Sequence, residues 1–457
     1  MQKMKNGKKV LSVCLSLAMA AGMLSTSAFA SWNVYGGSNN HNAVVTEAPT
    51  TPDKSGLDSY IQLHCTGSGW DGVDNVPVLQ TVNGTTYAYV LYDGYGASGA
   101  LVAKIRCAEN GGSSIVWTTD PYGTEGTSLN AKSGFQLSTP YLDDNGTPND
   151  ASDDTLYVGT ISQYDDYEGG EWLTGTGSKV MALTGLDQNK PTVTNVLTGI
   201  NGQINTPITT DGTYLYFGTW PGGSRAGTYY QVKLSDYSVK TFTPDSYGFY
   251  WAGAVSDGTN VYFGSDNGLL YWRSIADFDT TGGVLDLTDV ASDAGNVRST
   301  VMLDDGYLYF TTQGGYLWCC SYDDGLTVEW HIKLGATSTS TPTKVGDRIY
   351  VGYYSGFNAG GVQCVSADGS SVKTVVEGDG FPVQSSIVVM GDGTGTDYLY
   401  FNTNAQKGVG YCYSYDGTTG SQVWGTTGDT YALGGMAIDN GYAVFGNDYN
   451  HLYVVHD

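Results

Sequence analysis

Basic residues are the first shortage. The 457-residue chain carries 20 Lys and Arg against 45 Asp and Glu, a formal net charge of −25, and only 14% of its residues are charged. Nucleic-acid binding needs cations to displace counterions from phosphates, so the balance argues against it. It argues against an anionic membrane surface for the same reason. Runs of Lys, Glu and Ala are too few for a mainly helical or coiled-coil chain. The five His, at 41, 64, 331, 451 and 456, form no i, i+4 pair on a helix, and Cys-x-x-Cys is absent, which removes a zinc site. There is no Gly-x-Ser-x-Gly elbow, and no acid pair can be given a glycosidase geometry. What is abundant is Gly (65), Tyr (36) and aromatic side chains overall (13%). That much apolar surface is incompatible with disorder and points to an all-β protein.

The first thirty residues read as an address. Lys3, Lys5, Lys8 and Lys9 precede an apolar stretch from Val10 to Leu24, and Ala28-Phe29-Ala30 follows. This is the pattern of a Sec-type secretory leader of bacterial style. Cys14, early in the apolar run and preceded by Val13, does not fit a lipoprotein signal. Cleavage would leave Ser31 to Asp457, 427 residues with 16 basic and 45 acidic groups and a net charge of −29. No later apolar stretch approaches the 18 residues of a membrane span, so no transmembrane segment is expected after cleavage. The expected location is extracellular or at the cell surface.

One unit recurs along the rest. Leu156-Tyr-Val-Gly159, Leu215-Tyr-Phe-Gly218, Val261-Tyr-Phe-Gly264, Leu308-Tyr-Phe-Thr311, Ile349-Tyr-Val-Gly352 and Leu399-Tyr-Phe-Asn402 share one core, with a looser copy at Tyr87–Leu91 and a last one at Ala443–Gly446. Anchors at 89, 157, 216, 262, 309, 350, 400 and 444 lie 68, 59, 46, 47, 41, 50 and 44 residues apart. Asp211-Gly212, Asp257-Gly258, Asp305-Gly306 and Asn440-Gly441 supply hairpin turns ahead of the core strand. A third strand follows, and a fourth ends in Trp117, Trp330 or Trp424 in three units. Four short strands at a period in the forties make one propeller blade. The last unit, 431–457, has room for three strands, and Ser59–Cys65 in the segment 31–66 supplies the fourth. The expectation is an eight-bladed propeller over 31–457, with seven blades at 67–430 and both termini stitched into one closing sheet; seven blades in all is the competitor. Closure leaves no open sheet edge.

Ser414-Tyr-Asp416-Gly-Thr-Thr419-Gly420-Ser-Gln-Val-Trp424 resembles the third-to-fourth strand motif of quinoprotein-type (PQQ-like) propeller repeats, with Ser at the usual Ala. Ala108–Trp117 and Ser321–Trp330 resemble it with one residue fewer, and Trp32-Asn-Val-Tyr-Gly36-Gly37 is similar to the opening of such propellers. The resemblance spans nearly all of 31–457 and implies the fold. The family holds Ca²⁺- and PQQ-dependent dehydrogenases as well as cofactor-free scaffolds and surface binders, and the enzymes' catalytic Asp and metal ligands find no matching motif in this chain.

Adjacent cysteines sit against the cofactor in some of those dehydrogenases, which draws attention to Cys319-Cys320. Cys319, Cys364 and Cys412 align in one column of the third strand, with Cys107 aligned to Cys320 in the next. A recurring small apolar position is a packing signature. Two acidic loops are candidates for Ca²⁺: Asp143–Asp154, and the segment with Asp165, Asp166 and Glu168. Neither matches an EF-hand loop in spacing, and solvated turn acids are the simpler reading of both. The loops between second and third strands are long in five units and carry Tyr95, Tyr167, Trp172, Trp220, Tyr354 and Phe357. Long aromatic loops on one side of a rigid scaffold suit glycan or polypeptide. The reading is a non-catalytic binding or scaffold module for an extracellular protein or glycan, neutral or basic rather than strongly anionic, without a cofactor. A dehydrogenase using PQQ and Ca²⁺ is the alternative.

Overall fold

The computed structural model describes residues 31–63, 72–93, 100–120, 126–129, 138–161, 164–168, 171–174, 176–323 and 325–457, with the backbone alone for 164–168, 171–174 and 176. Residues 1–30, and with them Cys14, lie outside the described residues, as do His64, Cys65 and Tyr95.

Among the described residues eight units of four antiparallel strands follow one another from Val78 to Val455, seven of them running in chain order from one edge to the other and one extended by a fifth, parallel strand. The chain is an eight-bladed propeller, and the seven-bladed competitor is excluded. The last blade is composite: Ala437–Asp439, Tyr442–Gly446 and His451–Val455 from the C-terminal end, completed by Ile61–Gln62. Ile61 pairs with Leu452 and Gln62 with His451, so the termini close the ring as the repeat count predicts. Among the described residues no helix is long and apolar enough to cross a membrane.

The recurring Leu-Tyr-Phe core exists because both faces of a blade are covered. Leu215 and Phe217 pack toward the second blade with Tyr141 and Ile204, whereas Tyr216, between them, packs toward the fourth with Phe263 and Ala254. Alternate side chains therefore meet different neighbours, and both must be apolar. The turn before each core is tied to it. Asp211 accepts from the backbone of Thr213 and Tyr214 through Oδ1 and from the Tyr216 hydroxyl through Oδ2 at 2.8 Å. Asp257 repeats the arrangement with Tyr262 at 2.7 Å.

The cysteine column is present: Cys319, Cys364 and Cys412 stand opposite Tyr309, Tyr350 and Tyr400. Burial pushes the thiols of Cys319 and Cys412 up to about 12, so they are packing groups and poor nucleophiles. Cys319 and Cys320 face different clusters, one toward Ile349 and the other toward Phe310 and Trp318, and both are free thiols. Cys107 corrects its expected column. Ile105, not Cys107, takes that column, opposite Ala88 as Cys320 is opposite Leu308, and Cys107 follows the strand's end at Arg106. The third-to-fourth turn of the first blade is longer, which displaces the motif by two positions.

The three fourth-strand tryptophans reach the following blade or the segment leading to it. Trp117 donates from Nε1 to the Leu186 carbonyl at 3.4 Å, and Trp424 to that of Pro49 at 2.8 Å. Trp330 packs against Gly369, where a Cβ would fall 2.4 Å from the ring and where φ is 68°.

A feature of the first fifteen described residues has no counterpart in the sequence reading. Residues 32–45 circle the axis as a belt inside the innermost strands. The amides of Leu79, Leu142, Leu303 and Val389 donate to the carbonyls of Trp32, Asn33, Asn40 and Ala43 at 2.8–2.9 Å. Asn42 exchanges two bonds with the Lys344 backbone, and Val44–Val45 adds a short parallel strand to Val388–Met390. His41, buried, spans the carbonyls of Tyr35 and Ala254. These inner strands are edges with unpaired donors facing the axis, and the belt satisfies them.

Blades are also bracketed by buried acids, which gives a pH dependence. Gln80 of the first blade donates to Asp154 of the second at 2.5 Å, and Thr81 donates to Asp439 of the eighth at 2.7 Å. Burial raises both carboxyls to about 6. A raised carboxyl binds its proton more tightly in the folded chain, so stability falls as pH rises from about 4 to about 6. Hydrogen bonds to hydroxyls and turn amides hold Asp368 and Asp416 at about 2, and their contribution is lost only as pH falls below about 4. The urea midpoint is therefore expected to peak near pH 4 and decline to pH 6.5. The double variant Asp154→Asn, Asp439→Asn should flatten that decline; an unchanged slope would contradict the assignment.

Candidate functional site

On one face of the ring, the connections from each blade's outer strand to the next blade's inner strand converge on the axis. They enclose a cavity of about 70 Å³ beneath a wider cleft of about 440 Å³. The belt is the floor: Tyr35 lines the cavity, with its hydroxyl 3.0 Å from Thr341 Oγ1.

The rim is aromatic. Trp220, Tyr250, Trp251, Tyr354 and Phe357 line the cleft. Trp220 meets Tyr250 edge-on at 5.1 Å, Tyr250 meets Trp251 at 4.8 Å, and Phe357 meets Tyr431 edge-on at 5.6 Å. One cation is built into this wall. Arg298 donates from Nε and Nη2 to the two oxygens of Asp266, both at 2.7 Å, and lies 4.4 Å over the Tyr250 ring. Trp220 Nε1 donates to the same carboxylate at 3.2 Å. Burial works against the Arg298 charge, but the bonds and charge of Asp266 more than offset it and hold the guanidinium above its usual range. The fork thus spends the cation locally and fixes the two rings around it.

Deeper, the lining is polar and mostly uncharged, with Asp74 and Arg298 as its charged members. Asn75, Asn205 and Ser385 line the cavity and Gln203 the cleft above it, while Gln384 faces both. Asn75 and Asn205 are only 3% and 2% exposed, yet the Oδ1 of each is without a hydrogen-bond partner, as are Gln203 Nε2 and Ser385 Oγ.

The sequence-selected aromatics divide accordingly. Trp220, Tyr354 and Phe357 come together at the cleft. Tyr167 and Trp172 stand opposite each other on a hairpin formed by Tyr164–Glu168 and Glu171–Thr174, described as backbone only. Asp165, Asp166 and Glu168 lie on its first strand, with Asp166 opposite Leu173 and Glu168 opposite Glu171. The other acidic loop is occupied with itself: Asp143, Asp144 and Asp150 accept from their own turn's amides, and Asp153 from the Thr147 hydroxyl. Tyr250, Trp251, Arg298 and the carboxamides were not singled out because they sit in the outer-to-inner connections. The run Gly248-Phe-Tyr-Trp251 was the available signal.

A tricarboxylate quinone with Ca²⁺ would need free cations and a cluster of oxygen ligands in this lining. Its described cation, Arg298, is already forked onto Asp266, and Asp74 and Asp448 add negative charge. Among the described residues no three His, Cys, Asp or Glu gather closely enough to hold a metal ion, whereas Ca²⁺ takes six to eight oxygens. The lining does not fit that pair.

No protein-family model matches the sequence, and no curated protein sequence matches it. Solved structures do. A europium-containing methanol dehydrogenase superposes with a TM-score of 0.59 at 13% identity, covering 91% of this chain and 89% of that one. The quinohemoprotein alcohol dehydrogenase of Comamonas testosteroni gives 0.57 at 10% identity, covering 91% and 76%. BamB of Moraxella catarrhalis gives 0.51 at 14%, covering 87% and 98%. Identities this low carry architecture and not chemistry. They place the chain among the β-propellers.

Proposed function

We propose that this chain is a non-catalytic binding module, exported by its first thirty residues, whose axial cleft takes a glycan. Protein and glycan were the partner classes open on sequence, and the lining favours the second. The observation that carries the reading is the pairing of an aromatic rim with a floor rich in uncharged hydrogen-bonding groups, beside Asp74 and an Arg298 already held by Asp266. Ring faces cover the apolar faces of sugar rings, and carboxamides bond their hydroxyls in both directions. A strongly anionic partner would meet Asp74, Asp448 and the overall charge of −25. The quinoprotein-type reading of the repeat rests on Ser414–Trp424 and companions, and within it the cofactor-free binders are the better match.

The test is retention of residues 31–457 on insoluble cellulose, chitin, xylan, mannan and galactan. Wild type should be retained by at least one, and the double variant Trp220→Ala, Tyr354→Ala should bind it at least about tenfold more weakly, since aromatic anchors carry much of the energy of such sites. Equal retention of the two proteins, or none on any matrix, would overturn the proposal.

A further inference from the structure

We infer that the cavity beneath the rim is a subsite for one terminal, uncharged sugar residue, so that the module reads chain ends or single-residue branches and not the interior of a polymer. The inference rests on the glycan reading above and deepens it.

Three observations carry it. The well is blind: Tyr35 of the belt lies beneath it, and the connections leading into the inner strands wall it round, so a chain can enter only by its end. A continuous polymer needs a groove open at both ends. The well is also short of partners. In the well Asn75 Oδ1 and Asn205 Oδ1 can only accept and Ser385 Oγ can do either, while Gln203 Nε2, at its mouth in the cleft above, can only donate; all four are buried atoms without a partner. Leaving such groups unmatched costs free energy, which a ligand offering hydroxyls recovers. A hydroxyl both donates and accepts, so a polyol matches this mixed set, whereas a carboxylate or phosphate, acceptor-only, would confront the two carboxamide oxygens. Size agrees: about 70 Å³ admits several water-sized groups at about 10–15 Å³ apiece, hence the hydroxyls of one ring edge. The 440 Å³ cleft above, with Trp220, Tyr354 and Phe357, then holds the following residues.

Residues 31–457 are titrated with glucose, galactose, mannose, xylose, N-acetylglucosamine and glucuronate, and with the tetrasaccharides of cellulose, chitin, xylan, mannan and galactan, following tryptophan fluorescence. One neutral monosaccharide should bind saturably and displace its tetrasaccharide, while glucuronate does neither. Asn205→Ala and the milder Ser385→Ala should each weaken monosaccharide and tetrasaccharide alike, by about three- to tenfold. Phe357→Ala should weaken the tetrasaccharide alone. An unchanged thermal midpoint in Ser385→Ala separates lost contact from misfolding. A tetrasaccharide that binds and responds to Phe357→Ala, but is indifferent to monosaccharide, Asn205→Ala and Ser385→Ala, would overturn the subsite and leave the rim standing. Reduction of the tetrasaccharide's terminal ring that leaves affinity unchanged identifies the opposite terminus as the one bound and supports the subsite. Failure of every saccharide would overturn subsite and glycan reading together.

Discussion

A chain beginning at residue 46 is expected to lose cooperative unfolding, and Trp32→Ala alone to cost about 3–5 kcal/mol. The belt contributes in two ways. Trp32, Val34 and Ala43 are at most 3% exposed and join clusters shared with the inner strands. The belt also accepts from the amides of Leu79, Leu142, Leu303 and Val389. Without it, those donors face the axis, each bond worth about 0.5–1.5 kcal/mol. Against a total stability of about 5–15 kcal/mol for a domain, the combined loss is decisive. Urea unfolding followed by circular dichroism checks this. A truncated chain that keeps the wild-type midpoint would show that the belt is an ornament on a self-sufficient ring.

Asp397→Ala is the second large effect, at about 3–5 kcal/mol. The Asp397 side chain is fully buried between the sixth and seventh blades. It accepts from Arg348 Nη1 at 2.7 Å, from the Tyr350 hydroxyl at 2.6 Å and from the Gly393 amide at 3.0 Å. Truncation would leave a guanidinium only 15% exposed and a buried phenol without their acceptor. Asp397→Asn keeps an acceptor and should cost less than half as much. Equal losses for the two variants, measured as urea midpoints, would place the effect in the charge that both remove and not in the acceptor that Asn retains.

The sequence was most legible where a rule repeats. Each core strand has neighbours on both faces, so Leu-Tyr-Phe recurs, and the Asp of the preceding turn recurs because it holds that Tyr, as Asp211 holds Tyr216. The closing strand was legible because seven complete units left one blade short. The belt was not, since it has no period and its partners lie at 79, 142, 303 and 389, far along the chain. Only Trp32 and Gly36-Gly37 hinted at it, and Gly37 lies against the Trp32 ring. The rim was half legible. Trp220, Tyr354 and Phe357 stood out in long loops, but Asn75, Gln203 and Asn205 are single polar residues in aperiodic connections, and only the ring geometry gathers them. Cys107 shows the limit of motif alignment, because a longer turn moved it out of its column.

Hydrogen exchange tests the central claim, that the axial cleft is where this propeller binds. Residues 31–457 would be measured alone and with each tetrasaccharide of cellulose, chitin, xylan, mannan and galactan. The account predicts that one of them slows exchange in the connections around 203–207, 248–251, 298–300 and 384–385, with the outer strands unchanged. Protection confined to outer strands such as Gly282–Asp286, or none with any saccharide, would contradict it.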